Sequence, residues 1–493
     1  MLFGNNMVLQ RKKPIPVWGT AEPGSRIQVS LDLSTVEAVA DESGRWQAVL
    51  PPHEAAEGLG MRIQSGMSEL LYTDVAVGEV WIAGGQSNME FFLGFEANYE
   101  SVAAAYESTK VRFFDCPETV YEGALDDWNF ENDGFWRQGL RDELAYFSAV
   151  GFYFAKCLQE DLGVPVGIIG CNYGGTPASA WMDPERLKGT PGEVWLEDYR
   201  RDTAALDMTQ FLETFRRNPL NDRTRLYNNP VNDQVMRIGL SREDQEAVMK
   251  FSSPPSFHYE CRPGGLYENM LLKIVPYAVR GVIWYQGETD GDFHPECYTD
   301  VFSRLIQNWR ALWHEALPFL FVQLAPFRQW LHCSGANYGI VRACQDEVSR
   351  TMPNTWMATS GDVGMEWDIH PKNKKPLGER LALLARGHVY GEQLLCDAPE
   401  AEKAERDGGR IIIRFRNAQA LKIEGSKLKA VQVQLPGGET VPAENAAAEG
   451  NMLMLNGVEK AETVMLGAEA YYEVNLFNGA HIPAKPFVLP VNG

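Results

Sequence analysis

The chain has 493 residues, 45% of them hydrophobic, enough for two or three globular domains with their own cores. Its formal net charge of −21 argues against a nucleic-acid partner, whose phosphates demand a basic surface, but leaves small neutral or anionic ligands open through local basic patches. No run reaches the ~18 apolar residues of a membrane helix, no secretory leader stands at Met1–Gln10 and the eight cysteines form no CxxC pair, so a cytoplasmic protein with reduced thiols is expected, secretion staying open if a leader was trimmed.

Residues 1–75 read as a β-rich domain, with short strands at Ile15–Trp18, Arg26–Leu31, Thr35–Ala40 and Trp46–Val49 between Pro/Gly turns. Trp18 and Trp46 are candidates for a small sandwich core. From residue 76 the pattern changes. An apolar strand at Val77–Ile82 leads to a helix near Ala97–Thr109, a strand at Val111–Phe114, a helix at Ala145–Glu160 and a strand at Val164–Ile169. Strand, helix, strand in this order predicts a parallel α/β sheet.

Residues 186–262 are polar and read as an insertion. Helices are expected at Gly192–Thr203 and Ser241–Phe251, with an Asn/Arg/Asp-rich run at Asn218–Val235. The alternation then resumes: helix Leu266–Ile274, strand Ala278–Tyr285, a helix within Pro295–Leu317, strand Phe319–Leu324, helix Gly339–Arg350, strand Thr355–Thr359 and helix Leu377–His388. The α/β domain is thus 76–395, and 396–493 is a second β-rich domain with strands at Arg410–Phe415, Ala430–Leu435, Asn451–Leu455 and Tyr471–Leu476.

Four segments carry candidate chemistry, and each follows a predicted strand, where open α/β sheets gather ligands. In WIAGGQSNM (81–89), Gly84-Gly85 permits a tight turn that exposes Ser87 at a helix N-terminus. A serine at an ordinary N-cap looks the same. A serine nucleophile needs a base, and His370, in DIHPKNKKP (368–376), titrates near pH ~6.5 when unperturbed. Asp368 is the preferred orienting acid, since an extended Asp368-Ile369-His370 would send both side chains to one side; Asp362 and Glu366 are rivals. In CNYGGTPASAWM (171–182), Gly174 or Gly175 would bring a backbone N–H close to an oxyanion. In GVIWYQGETD (281–290), the Gln286 amide is a further oxyanion donor, and Glu288 a support or substrate contact. The other histidines, among them His258, His294, His314 and His332, show no metal-ligand spacing, and no phosphate- or dinucleotide-binding fingerprint is present. No metal and no cofactor are expected.

These four segments, with NNMVLQRKKPIPVWG (5–19) and VNLFNGAHIPAKPF (474–487), resemble the sialate O-acetylesterase family of SGNH-type carbohydrate acetylesterases. The marks span most of the chain but thin out over 186–262. The resemblance implies a flavodoxin-like SGNH hydrolase core with a parallel sheet, flanked by β-rich N- and C-terminal regions. It implies a cofactor-independent serine esterase with Ser87 as nucleophile, His370 as base, Asp368 as acid and Gly174 or Gly175 in the oxyanion hole. Many relatives place an asparagine where Gln286 stands, and many carry the secretory leader not seen here. The implied substrate is an O-acetylated sugar, sialic acid first and acetylated xylan second. Arg262, Arg280 and Arg342 are the candidates for holding a sialic acid carboxylate. A noncatalytic carbohydrate-binding protein is the reading from another class.

Overall fold

The computed structural model describes residues 2–121, 134–217, 236 and 256–492. Its described residues form two compact units, one taking residues up to 217 with 256–284 and 304–319, the other 285–303 and 320–492.

In the first unit the organising element is one long strand, Ser68–Gly85. Its first half pairs antiparallel with Ala56–Ser65, which in turn pairs with Arg26–Leu31. The second half, Val75–Gly85, is buried at every residue, as a strand covered on both faces must be. Here Val8–Gln10 lies parallel along Ala76–Gly78. The expected boundary at residue 75 therefore falls inside a continuous strand. The rest of this sheet runs Gly281–Tyr285, Ser68–Gly85, Val166–Asn172, Ser108–Asp115, Trp136–Gly139. Val166–Asn172 is parallel to both its neighbours, while Trp136–Gly139 closes the edge antiparallel.

The helix feeding Val166–Asn172 is Ala149–Leu162. It starts where the Ser148 side chain accepts the Gly151 N–H and stops at Gly163, which takes φ +68° as a left-handed cap. Its apolar residues Val150, Phe154 and Leu158 are buried. In the N-terminal module Arg45–Leu50 alternates exposed and buried residues opposite Ile15–Thr20. Trp46 packs so closely on Gly19 that a Cβ there would lie 3.0 Å from the indole. Trp18, the other expected core anchor, turns instead to Phe3 and Tyr277.

In the second unit, Thr355–Ala358 neighbours Phe319–Val322, with helices Tyr338–Thr351 and Lys375–Leu384. The C-terminal residues build an eight-stranded sheet in which Glu400–Asp407 and Phe487–Asn492 are parallel and their outer neighbours antiparallel. Ile411, Ile413, Leu453, Leu455, Val433 and Val464 form its core.

Several expectations need correction. Tyr471–Leu476 is not a strand; only Leu476–Phe477 pairs there. Val474 N–H donates to the Gly361 carbonyl, and the Asn475 amide bonds the backbone at Glu424 and Lys427, so this stretch is tied down without a ladder. Leu266–Ile274 is a π-turn, Tyr267–Leu271, running into a short helix, Leu272–Ile274. The expected helix at Ser241–Phe251 and the polar run at Asn218–Val235 lie outside the described residues.

Candidate active site

The Ser68–Gly85 strand ends at Gly85 with φ +134°, a conformation that only glycine adopts without strain. Ser87 then opens a helix only one turn long, Ser87–Glu90. So short a helix offers individual N–H groups and not a macrodipole. Ser87 is half-exposed between Gln86 and Asn88, both buried. The turn is pinned from below by Ser148, whose hydroxyl donates to the Met89 carbonyl at 2.6 Å while accepting the Gly151 N–H at 3.0 Å.

Parallel pairing sets Asn172 opposite Gly85, and the Tyr173 N–H donates to the Gly85 carbonyl. The next residue, Gly174, is thus carried to the nucleophile turn. A Cβ at Gly174 would stand 3.3 Å from Ser87 Cβ and 3.1 Å from Glu90 Oε2. Gly175 follows at φ +72°. The loop is braced by Thr176 Oγ1 donating to the Tyr173 carbonyl at 2.7 Å, and by Trp181 Nε1 donating to Thr176 Oγ1 at 3.0 Å. Two segments some ninety residues apart in sequence therefore meet at Ser87.

His370 and Asp368, in the second unit, are both buried. His370 Nδ1 stands 3.5 Å from Asp368 Oδ1, longer than an ordinary N–H···O bond. The segment is a turn, not the extended stretch expected, because Asp368 Oδ1 also accepts the His370 backbone N–H at 2.8 Å. Asp368 Oδ2 pairs with Lys372 Nζ at 2.9 Å. Trp330 meets the imidazole edge-to-face, centroids 4.8 Å apart. Burial pushes the His370 pKa down to about 4, with Asp368 opposing and Lys372 and Lys374 adding to the fall. Burial also pushes the Asp368 carboxyl up, but His370 and Lys372 outweigh it and hold the group below its usual range. Of the rival acids, Asp362 is held two-pronged by Arg380, and Glu366 pairs with Arg328 at 2.9 Å.

Gln286 is buried. Its Nε2 donates to Asp290, and its Oε1 accepts from Tyr298 at 3.1 Å. Gln345, also buried, donates to the Gln286 carbonyl at 3.1 Å and accepts the Leu324 N–H at 2.9 Å, joining two strand-end loops. Glu288 is 3% exposed and opens the short helix Glu288–Phe293 after Gly287 at φ +139°. The three candidate arginines are engaged elsewhere: Arg280 on buried Glu79, Arg262 on Glu268 and the Val120 carbonyl, Arg342 on the Glu469 carbonyl and over the Tyr472 ring.

The sequence reading missed Ser148, Gln345, Trp330 and Lys372. Lys372 was legible, because it sits four residues beyond Asp368 in the same motif. The other three come from distant segments and carry no local signal.

Ser87 thus stands half-exposed on a strand-to-helix turn of an α/β sheet, against a glycine loop that follows the neighbouring parallel strand. Residues 256–385 match the family described as "Carbohydrate esterase, sialic acid-specific acetylesterase". A crystal structure of a carbohydrate acetylesterase from Xanthomonas citri is 30% identical, covers 99% of this chain and 98% of its own, and superposes with a TM-score of 0.76. Sialate O-acetylesterases of Mus musculus and Homo sapiens are each 26% identical over 87% of this chain, covering 80% and 78% of their own lengths. The chain belongs to the sialate O-acetylesterase family of carbohydrate acetylesterases. It is a hydrolytic enzyme whose substrate class is acetylated carbohydrate. Among the described residues no helix is long and apolar enough to cross a membrane.

Proposed function

We propose that this enzyme removes O-acetyl groups from sialic acid through an acetyl-serine intermediate. The reading rests on the buried His370–Asp368 pair, 3.5 Å apart, with an imidazole that burial keeps neutral. A neutral His370 is the form that accepts the Ser87 proton as Ser87 Oγ attacks the acetyl carbonyl. Asp368 orients the ring and stabilises the imidazolium. The oxyanion is met by the Ser87 N–H and by an N–H of Gly174 or Gly175, where the missing Cβ permits close approach. Gln286 is the further donor, with one of its two amide N–H groups given to Asp290. Glu288 supports that loop. His370 then protonates the departing sugar oxygen, and water drawn in by the same imidazole cleaves the acetyl-serine. Each oxyanion donor removed costs about 3–4 kcal/mol of barrier.

Sialic acid is favoured as substrate by the specificity for which the matched family and the mouse and human relatives are named. Of the expected domains 1–75, 76–395 and 396–493, this reading puts the chemistry in the middle one, although the strand Ser68–Gly85 crosses its first boundary. All eight cysteines are free thiols, which favours a reducing compartment such as the cytoplasm. Acetate release from O-acetylated sialic acid and from acetylated xylo-oligosaccharides tests the proposal. Ser87→Ala with an unchanged melting temperature should lose at least about 10⁴-fold in kcat on the sialic acid ester. Unchanged turnover in that variant removes the nucleophile, and faster turnover of the xylo-oligosaccharide removes the substrate.

A further inference from the structure

Outside the residues proposed for catalysis, three potential ligand atoms converge in the second unit: His388 Nε2, Cys396 Sγ and an Asp397 carboxylate oxygen, all within 4.8 Å of one another. The Sγ to Nε2 distance is 3.5 Å, Nε2 to Oδ2 is 3.2 Å and Sγ to Oδ2 is 3.8 Å. Zinc bonds of about 2.3 Å to sulfur, about 2.05 Å to nitrogen and about 2.1 Å to oxygen, at tetrahedral angles, put those pairs about 3.55, 3.4 and 3.6 Å apart. The three atoms therefore already stand near three corners of a zinc tetrahedron, each within about 0.2 Å of the required spacing.

The surroundings hold this arrangement from several sides. His388 lies in a π-turn, Ala385–Val389, a backbone form concentrated at functional sites. Its ring stacks on Trp356 at 4.7 Å and 11°. Gly387 is the one residue type that lets the thiol in, since a Cβ there would lie 2.5 Å from Cys396 Sγ. Asn478 Nδ2 donates to the Asp397 carbonyl at 3.0 Å and fixes that backbone. Cys396 is buried, but the Asp397 side chain is 38% exposed, which leaves a path for an ion and a fourth corner for water.

We propose that His388, Cys396 and Asp397 bind a thiophilic divalent cation, with Zn²⁺ the best match to a sulfur, nitrogen and oxygen donor set. The ion would join the end of the Lys375–Leu384 helix to the start of the Glu400–Asp407 strand, so its role is structural. The rival arrangement uses the same atoms without an ion: an imidazole hydrogen-bonded to carboxylate and thiol. In sequence the site is hidden, because seven residues separate His388 from Cys396 and no repeated ligand spacing marks it.

The test uses untagged, reduced full-length protein, stripped by chelator and dialysed against Co²⁺ or Zn²⁺. The expected result is one retained equivalent of Co²⁺ with thiolate-to-metal charge-transfer absorption, and a melting temperature that rises with Zn²⁺. Cys396→Ser should lose both, while its metal-free melt and acetate release match the wild type. Should that buried substitution unfold the chain, Asp397→Asn serves instead and should weaken Co²⁺ at least about tenfold. Substoichiometric binding by the wild type, or charge-transfer absorption that survives Cys396→Ser on another cysteine, overturns the proposal.

Discussion

A histidine that acts as a base must be unprotonated at working pH, and the surroundings of His370 favour that state in two ways. Burial withdraws the imidazolium from water, and the ammonium groups of Lys372 and Lys374 repel it, against the pull of Asp368. The acid limb of kcat/KM should therefore lie well below pH 6.5. Lys372 also occupies the second oxygen of Asp368 at 2.9 Å. Lys372→Met removes a repulsive charge and returns the whole carboxylate to the imidazole, so the acid limb should move to higher pH. A limb that stays in place after this change means the lysine does not tune the base. The same burial has a stability sign. Between about 4 and 6.5 the unfolded chain holds a proton on this histidine that the folded chain does not, so its contribution is full above 6.5 and falls as the pH drops toward 4. Choice of acid is also testable. Asp368→Asn should lower kcat about 10⁴-fold by leaving the imidazole in the wrong tautomer, while Glu366→Gln, whose partner Arg328 is largely exposed, should change it by about twofold or less.

At the scale of elements, one serine couples the Ala149–Leu162 helix to the nucleophile turn. Ser148 caps the helix and holds the Met89 carbonyl two residues past Ser87. Ser148→Ala should cost about 1–2 kcal/mol of unfolding free energy through the lost cap, read from urea melts, and should also slow acetate release because the turn loosens. Gly174→Ala isolates the second contact. Its Cβ would be tight, not prohibitive, at 3.3 Å from Ser87 Cβ, so the expected result is an unchanged melt with about a tenfold loss of kcat; a loss in the melt alone would make Gly174 a packing residue. The partners of these contacts were not legible. Strand–helix alternation and the motifs around Ser87 and Gly174 could be read directly, since fully buried parallel strands appear as apolar runs and tight turns as glycine pairs. Ser148 and Gln345 could not, because their contacts depend on register between segments that sequence leaves unspecified. Tyr471–Leu476 misled for a related reason: Tyr472, Val474 and Leu476 are buried in the core of the C-terminal sheet, yet only Leu476 enters a ladder.

For the whole molecule, a formal charge of −21 sets two acid responses against each other. Protonating surface carboxylates relieves self-repulsion and favours the folded chain. Protonating carboxylates that the fold has paired does the opposite. Glu79 is one of these in the first unit: its side chain is fully buried on the central strand, between Arg11 at 2.6 Å and Arg280 at 2.8 Å. It thus fastens the N-terminal segment to the sheet, a role no local pattern announces, since its partners lie 68 and 201 residues away. Burial pushes its pKa up, but Arg280 and Arg11 outweigh burial and hold it below the ordinary 4.5. The unfolded chain therefore takes up this proton first, so the contribution of Glu79 is complete above about pH 4.5 and is lost as the pH falls through the folded value. Glu79→Gln should cost about 3 kcal/mol at pH 7 by leaving two arginines facing a neutral group. The gap between variant and wild type should narrow steadily below pH 4.5, as the wild-type carboxylate loses the charge that the variant never had. Parallel urea melts at pH 7, 5 and 4 measure it, and a gap that keeps its size across that range would show that Glu79 acts through shape and not through charge.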